Sequence, residues 1–227
     1  MVTYLVGTCH IDPKGPVRLK KFLNFVRPTS IGHESSGENA KKIFEDRRKK
    51  LGAFLQMNSV ADPALKFAIM LGYIDSYELW TPYQHQQEDN PTTIIYPLEN
   101  HQILEKASDY LQQSENNNKV LSDWETLLHE GLRTRDFKKV QNSVELAYYD
   151  SRIVENIQKN LGRTDYLLED RDVLMEQKIR EIVTKDAQGT TVAICGVGHL
   201  FGEYHNLYER VRDLSPCRIR LPEVDKF

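Results

Sequence analysis

Two apolar runs, one near each end of the chain, close on the same punctuation. Val2 to Val6 is followed by Gly7-Thr8-Cys9-His10, and Val192 to Cys195 is followed by Gly196-Val197-Gly198-His199. The second run (Val-Ala-Ile-Cys) has no polar alternation, the pattern of a centre strand covered on both faces, as in parallel sheets. Each run reads as a buried strand ending in a glycine turn that delivers one histidine. The two histidines meet only if their strands are neighbours in one sheet. In open α/β sheets ligands bind beyond the carboxyl ends of the strands, so this pairing predicts a site as well as a fold.

The rest of the chain fits helices around such a sheet. Leu19, Phe22, Leu23 and Val26 recur at helical spacing, and Pro28 ends that helix. Ser30 to Glu34 reads as a short second strand, with Ser36 as the cap of a helix carrying Ile43, Leu51, Phe54 and Leu55. The middle is rich in helix formers over 62–79, 103–113, 121–132 and 139–161, and Thr92 to Leu98 is its one strand. Ser114 to Asn118 is a polar loop, and Met175, Ile179 and Ile182 form a helical stripe. Leu200, Tyr204, Leu207, Tyr208 and Val211 form another stripe, and Cys217 to Leu221 alternates as an edge strand. The expected class is α/β: a mixed or parallel sheet with helices on both faces and a large helical insertion in the middle of the chain. It is read as one domain over 1–227, with a mainly helical cap inserted at about 57–162.

With 227 residues the chain is long enough for one large core. Its formal net charge of -3 gives no field that recruits nucleic acid or a membrane surface. No apolar stretch approaches the ~20 residues of a membrane-spanning helix, and a first strand starting at Val2 leaves no room for a leader. The 3 cysteines have no paired spacing, which points to free thiols and a cytoplasmic location. The expected partner is a peptide or small-molecule substrate, with no nucleic acid and no membrane; a homodimer is left open.

The candidate site residues are His10, His199, Glu34 and Arg171. His10 and His199 would sit at neighbouring strand ends. Glu34 ends the second strand and would complete a two-histidine, one-carboxylate set or act as a base on bound water. Arg171 and Asp172 precede Met175 on one helix face, so Arg171 is placed inward, against Glu34 or a substrate anion, rather than in an ion pair with Glu169 or Asp170. His33 alternates away from Glu34 and belongs to the core or supports the site from behind. Glu99 and His101 follow a strand end and could reach the site, but read first as part of a helix cap. His85, His129 and His205 default to the surface. Cys9 and Cys195 read as small buried packing before nucleophiles. Gly196, Gly198 and Gly202, with Glu223 further on, imitate a dinucleotide turn, but the glycine spacing is one residue too long. Arg47 to Lys50 reads as a solvated helix face.

On Gly7-Thr8-Cys9-His10, Glu34, Arg171-Asp172-x-x-Met175 and Gly196-Val197-Gly198-His199-Leu200-x-Gly202, the chain resembles the TraB/PrgY/GumN family. That family includes the TIKI proteases and is related to the EreA/ChaN-like superfamily. The resemblance rests on four short motifs spread from end to end. It implies an α/β core and a metal-dependent hydrolytic site, with a divalent ion (Mn, Co or Zn) on His10, His199 and Glu34, and peptidase activity as in the TIKI proteins. Asp170, preceded by Glu169, displaces the acid expected before Arg171. The alternative is a non-catalytic protein that binds a ligand or haem in the same cleft.

Overall fold

The computed structural model describes residues 2–35, 40–103, 123–149, 165–201 and 206–227. Its centre is a five-stranded, all-parallel sheet of β1 (Val2–Thr8), β2 (Ser30–His33), β3 (Ile94–Pro97), β4 (Thr190–Gly196) and β5 (Cys217–Arg220), in the order β3-β2-β4-β1-β5. The apolar run of β4 lies in the middle of the sheet, with Val192, Ala193, Ile194 and Cys195 buried. β1 and β4 pair from Val2 opposite Thr190 to Thr8 opposite Gly196, so both glycine–histidine turns leave adjacent strands at one level. The connection from β1 to β2 and that from β4 to β5 run in opposite directions along the sheet. With right-handed crossovers this puts their connections on opposite faces, on either side of the carboxyl ends of β1 and β4.

The helices follow local chemistry. α1 (Gly15–Val26) begins at a proline and ends at Arg27, whose left-handed backbone lets its N–H return to the Leu23 carbonyl at 2.8 Å. Gly15 has no substitute, since a Cβ there would lie 2.4 Å from the Tyr77 ring. α2 (Ala40–Leu55) follows β2, and its expected cap, Ser36, lies outside the described residues. The helical stretch expected over 62–79 is divided in two. α3 (Pro63–Ile74) is capped by Asp62, and after a break at Asp75 and Ser76, with Ser76 at φ 55, the chain resumes as α4 (Tyr77–Glu88). α5 (Asp123–Thr134) and α6 (Phe137–Tyr149) form an antiparallel pair joined by a two-residue turn. α7 (Asp165–Lys185) packs across β2 and β4, and α8 (Leu207–Arg210) packs on α7.

The stretch 57–162 supplies edge strand β3, shorter than the predicted Thr92 to Leu98, and its Tyr77, Trp80, Val144 and Tyr148 join the same buried core as the sheet. The polar loop Ser114 to Asn118, most of 103–113 and residues 150–161 lie outside the described residues. No helix among the described residues is long and apolar enough to cross a membrane.

Candidate active site at the strand ends

Glu34 is placed by the sheet itself. Its N–H donates to the Ile194 carbonyl at 3.1 Å, prolonging the β2–β4 ladder by one residue. Its side chain, only 9% exposed, then reaches across the end of β4. One oxygen, Oε2, accepts the Gly196 N–H at 2.5 Å, and the other, Oε1, accepts Nη2 of Arg171. Arg171 is carried inward by α7, whose stripe of Met175, Ile179 and Ile182 is buried on the sheet. Its Nε donates to Glu99 Oε1 at 2.5 Å. Glu99 follows β3 and is held by its own N–H on the Ser35 carbonyl at 3.2 Å. One guanidinium therefore bridges carboxylates from two strand ends. Glu169 pairs instead with Arg210, so the outward partner weighed for Arg171 is otherwise engaged.

His199 ends the short 3-10 turn Val197–His199 after β4. Its Nδ1–H donates to Asp172 Oδ1 at 2.6 Å, and its Nε2 lies 3.6 Å from Glu34 Oε1. The ring is 5% exposed and sits between two carboxylates. Burial alone would push its pKa down, but Glu34 and the bond to Asp172 override it and raise the imidazole to about 9. Glu34 answers in the opposite sense. Burial raises it, yet Arg171 and His199 together hold it well below the usual carboxylate range.

His10 stands at the mouth, with its side chain 70% exposed, and Nδ1–H donates to Glu78 Oε1 at 3.0 Å. Glu78 belongs to α4 and is buried. Its charge and hydrogen bond raise His10 to about 9, and Glu34 and Arg171 also act on the ring. Water around the exposed ring screens this attraction. The loop carrying His10 is pinned from below. Cys9 N–H donates to Tyr148 Oη at 3.0 Å, and Tyr148 donates to Asp12 Oδ2 at 3.2 Å. Arg18, itself buried, closes on Asp12, Glu145 and Asp225. The fold thus brings Glu34, Arg171 and His199 into one contact network and places His10 beside it on a separate partner.

Glu78 lies outside the sequence expectation, and Glu99 enters the network by the reading the sequence ranks second. Nothing in the α4 sequence marks Glu78, an acid among helix formers. Glu99 is read by sequence as part of a cap, but Asn100 takes that role, accepting the Ile103 N–H at 3.0 Å, and Glu99 turns inward. Asp172 was legible only as the neighbour of Arg171.

The residues as they stand do not fit a divalent ion. Among the described residues no group of three or more His, Cys, Asp and Glu side chains is arranged to hold one. Glu34 spends its oxygens on Arg171 and Gly196, and His10 turns Nδ1 to Glu78. A cationic guanidinium at the centre of the cluster opposes a second cation there.

Other expectations resolve simply. Cys195 is buried and Cys9 partly so, and burial first, with nearby acids adding, pushes both thiols well up, away from thiolate chemistry. The Gly196 N–H is occupied by Glu34, and Glu223 accepts the Arg220 N–H at 2.8 Å in a cap, so neither serves a dinucleotide; Gly202 lies outside the described residues. Arg48, Lys49 and Lys50 are exposed, with Lys50 paired to Asp46, as on a solvated helix face, but Arg47, 11% exposed, turns inward to the Gly72 carbonyl and Asp75, a correction to its expected place. His129 is exposed and His205 lies outside the described residues, but His85 is buried with Nδ1 2.9 Å from Asn24 Oδ1, a correction to its expected surface position. The apolar face of α4 packs on α1, which its sequence does not announce.

His33 points away from Glu34, as alternation predicts, and is fully buried beside Tyr83 with Nδ1 2.9 Å from Ser35 Oγ. Burial lowers its pKa to about 4. The unfolded chain therefore binds an extra proton between pH ~6.5 and about 4, and stability falls as pH drops through that window. The loss is of order 3 kcal/mol by pH 4. Urea midpoints at pH 7 and 4.5 should converge in His33→Gln relative to the parent; equal slopes in both proteins would show that His33 does not carry this term.

Compared with known proteins, the chain matches no family model, no curated protein and no solved structure.

Proposed function

We propose that this chain is a hydrolase that adds water to a carbonyl of a peptide or small-molecule substrate at the carboxyl edge of the sheet. The observation that carries the reading is the level pairing of β1 and β4. It sets the His10 turn beside the buried Glu34–Arg171–His199 cluster. The TraB/PrgY/GumN resemblance favours the same chemistry, though the donor geometry favours acid–base groups over the ion that the resemblance implies.

His10 has one ring nitrogen committed to Glu78, which leaves Nε2 to take a proton from water and to return it to the leaving group. Glu78 orients the ring and stabilises the imidazolium formed between those steps. Arg171 and His199 supply fixed positive charge toward the oxygen that becomes negative, and Glu34 and Asp172 hold those cations in place. Their charge is preorganised because every one of these side chains is largely buried and hydrogen-bonded.

A panel of peptides and esters, assayed with and without chelator, tests this. His10→Ala is expected to lose ~10²–10⁴ in kcat. With His10 raised to about 9, turnover should climb with pH above neutrality as the ring loses its proton. Glu78→Gln removes the raising charge, so that limb should move down toward the ordinary histidine value of ~6.5. Full activity in His10→Ala, or a limb that stays put in Glu78→Gln, would remove His10 from the mechanism. Activity lost to chelation and restored by Mn, Co or Zn would assign the water to an ion instead.

A further inference from the structure

Glu99 has one oxygen on Arg171 and a second that is left over. Its side chain is fully buried, Oε1 accepts Arg171, and Oε2 is buried with no hydrogen-bond partner among the described residues. The remaining charges already cancel. Glu34 and Asp172 are two negatives, and Arg171 and His199 are two positives in direct contact with them. An ionised Glu99 would add an uncompensated charge, half of it on an oxygen without a donor, inside a buried site. A buried carboxyl group in that position is cheaper neutral.

We infer that Glu99 is a neutral carboxylic acid, which positions Arg171 through Oε1 while leaving the guanidinium charge for the reacting group. The role in turnover rests on the hydrolase reading; the proton on Glu99 does not. The groups that face it are Glu34 from the end of β2, Arg171 and Asp172 from α7, and His199 and Cys195 from β4 and its turn. Burial and the Glu34 charge push Glu99 up, against Arg171 and His199, which pull it down. Two glutamates on one arginine are thus driven apart, one toward its acid and one toward its base. Pairs separated in this way mark acid and base assignments in enzyme sites.

The test is infrared difference spectroscopy of the parent against Glu99→Gln at pH 7. Glutamine keeps the shape and the neutral state, so the variant should fold and melt like the parent. The parent should show the carbonyl stretch of a protonated carboxyl that Glu99→Gln lacks. The subtraction by variant is needed because burial also raises Asp12. No difference in that band would overturn the inference, whether or not a substrate has been found. Where turnover is measurable, Glu99→Gln should lose any fall in rate at high pH that the parent shows as Glu99 ionises, a readout that a merely structural role would not move.

Discussion

Arg171→Met is expected to lower stability by about 3–5 kcal/mol, the cost of removing one partner from a buried ion pair. Arg171 bridges Glu34 and Glu99, which are 9% and 0% exposed in their side chains. Methionine fills much of the space but leaves Glu34 facing only His199 and the Gly196 N–H. At this chain length the melting temperature should drop by roughly 6–20 °C. The sign of the pH dependence follows from Glu34. Arg171 holds its folded-state pKa well below the usual range, so its contribution is present above pH ~4.5 and is lost as pH falls through the folded value. The difference between parent and variant should therefore shrink on acidification. Calorimetry at pH 7 and pH 4 measures both numbers. A loss under about 1 kcal/mol at pH 7 would show that both glutamates reach solvent and that no buried cluster exists.

Arg18→Met is expected to have an effect of similar size for a different reason. Arg18 is buried among Asp12, Glu145 and Asp225, and Asp12 has no exposed surface at all. Glu145 and Asp225 can turn to water, but Asp12 cannot, so the loss again falls near 3–5 kcal/mol. Here burial already pushes Asp12 up against the pull of Arg18, and without the cation it should rise further. The consequence reaches His10. Asp12 and Tyr148 together hold the Cys9 N–H and the loop above it. Amide exchange at residues 9–14 should therefore speed up in Arg18→Met more than at α7. Uniform acceleration across both would mean that the network stabilises the fold as a whole and does not act on the loop.

Much of the scaffold was legible because strand burial and turn chemistry are local. Val192 to Cys195 announced a centre strand and Gly196 its end, and alternation separated Glu34 from His33, but β1 runs on through Gly7 to Thr8, one residue pair beyond the glycine that the sequence reads as its stop. Arg171 was readable because a charge four residues before Met175 lies on the stripe that must face the sheet. What escaped was set by packing between distant elements. Glu78 matters only because α4 lies under the β1–α1 loop, and no property of its own sequence reveals that. Glu99 was hidden behind a competing local role, the cap that Asn100 fills instead. His85 looked exposed because its partner, Asn24, sits on another helix. The ligand set expected for a metal turns on the same level: Glu34 has its oxygens on Arg171 and Gly196, and His10 turns Nδ1 to Glu78, partners that spacing alone does not reveal.

The place of β1 in the sheet also dictates when the site can exist. Both its neighbours, β4 and β5, come from residues 190–220. During synthesis the first strand has no partner in the sheet until residues 190–220 have left the ribosome. It then closes a loop of more than ~180 residues, a step that topology makes slow. Until that closure an apolar segment ending in Gly7 and His10 stands unpaired, the species most exposed to aggregation and chaperone capture. The strand edge that gathers Glu34, Arg171 and His199 is complete only once β4 is in place, so a chain truncated before it would carry helices and part of a sheet but not the cluster.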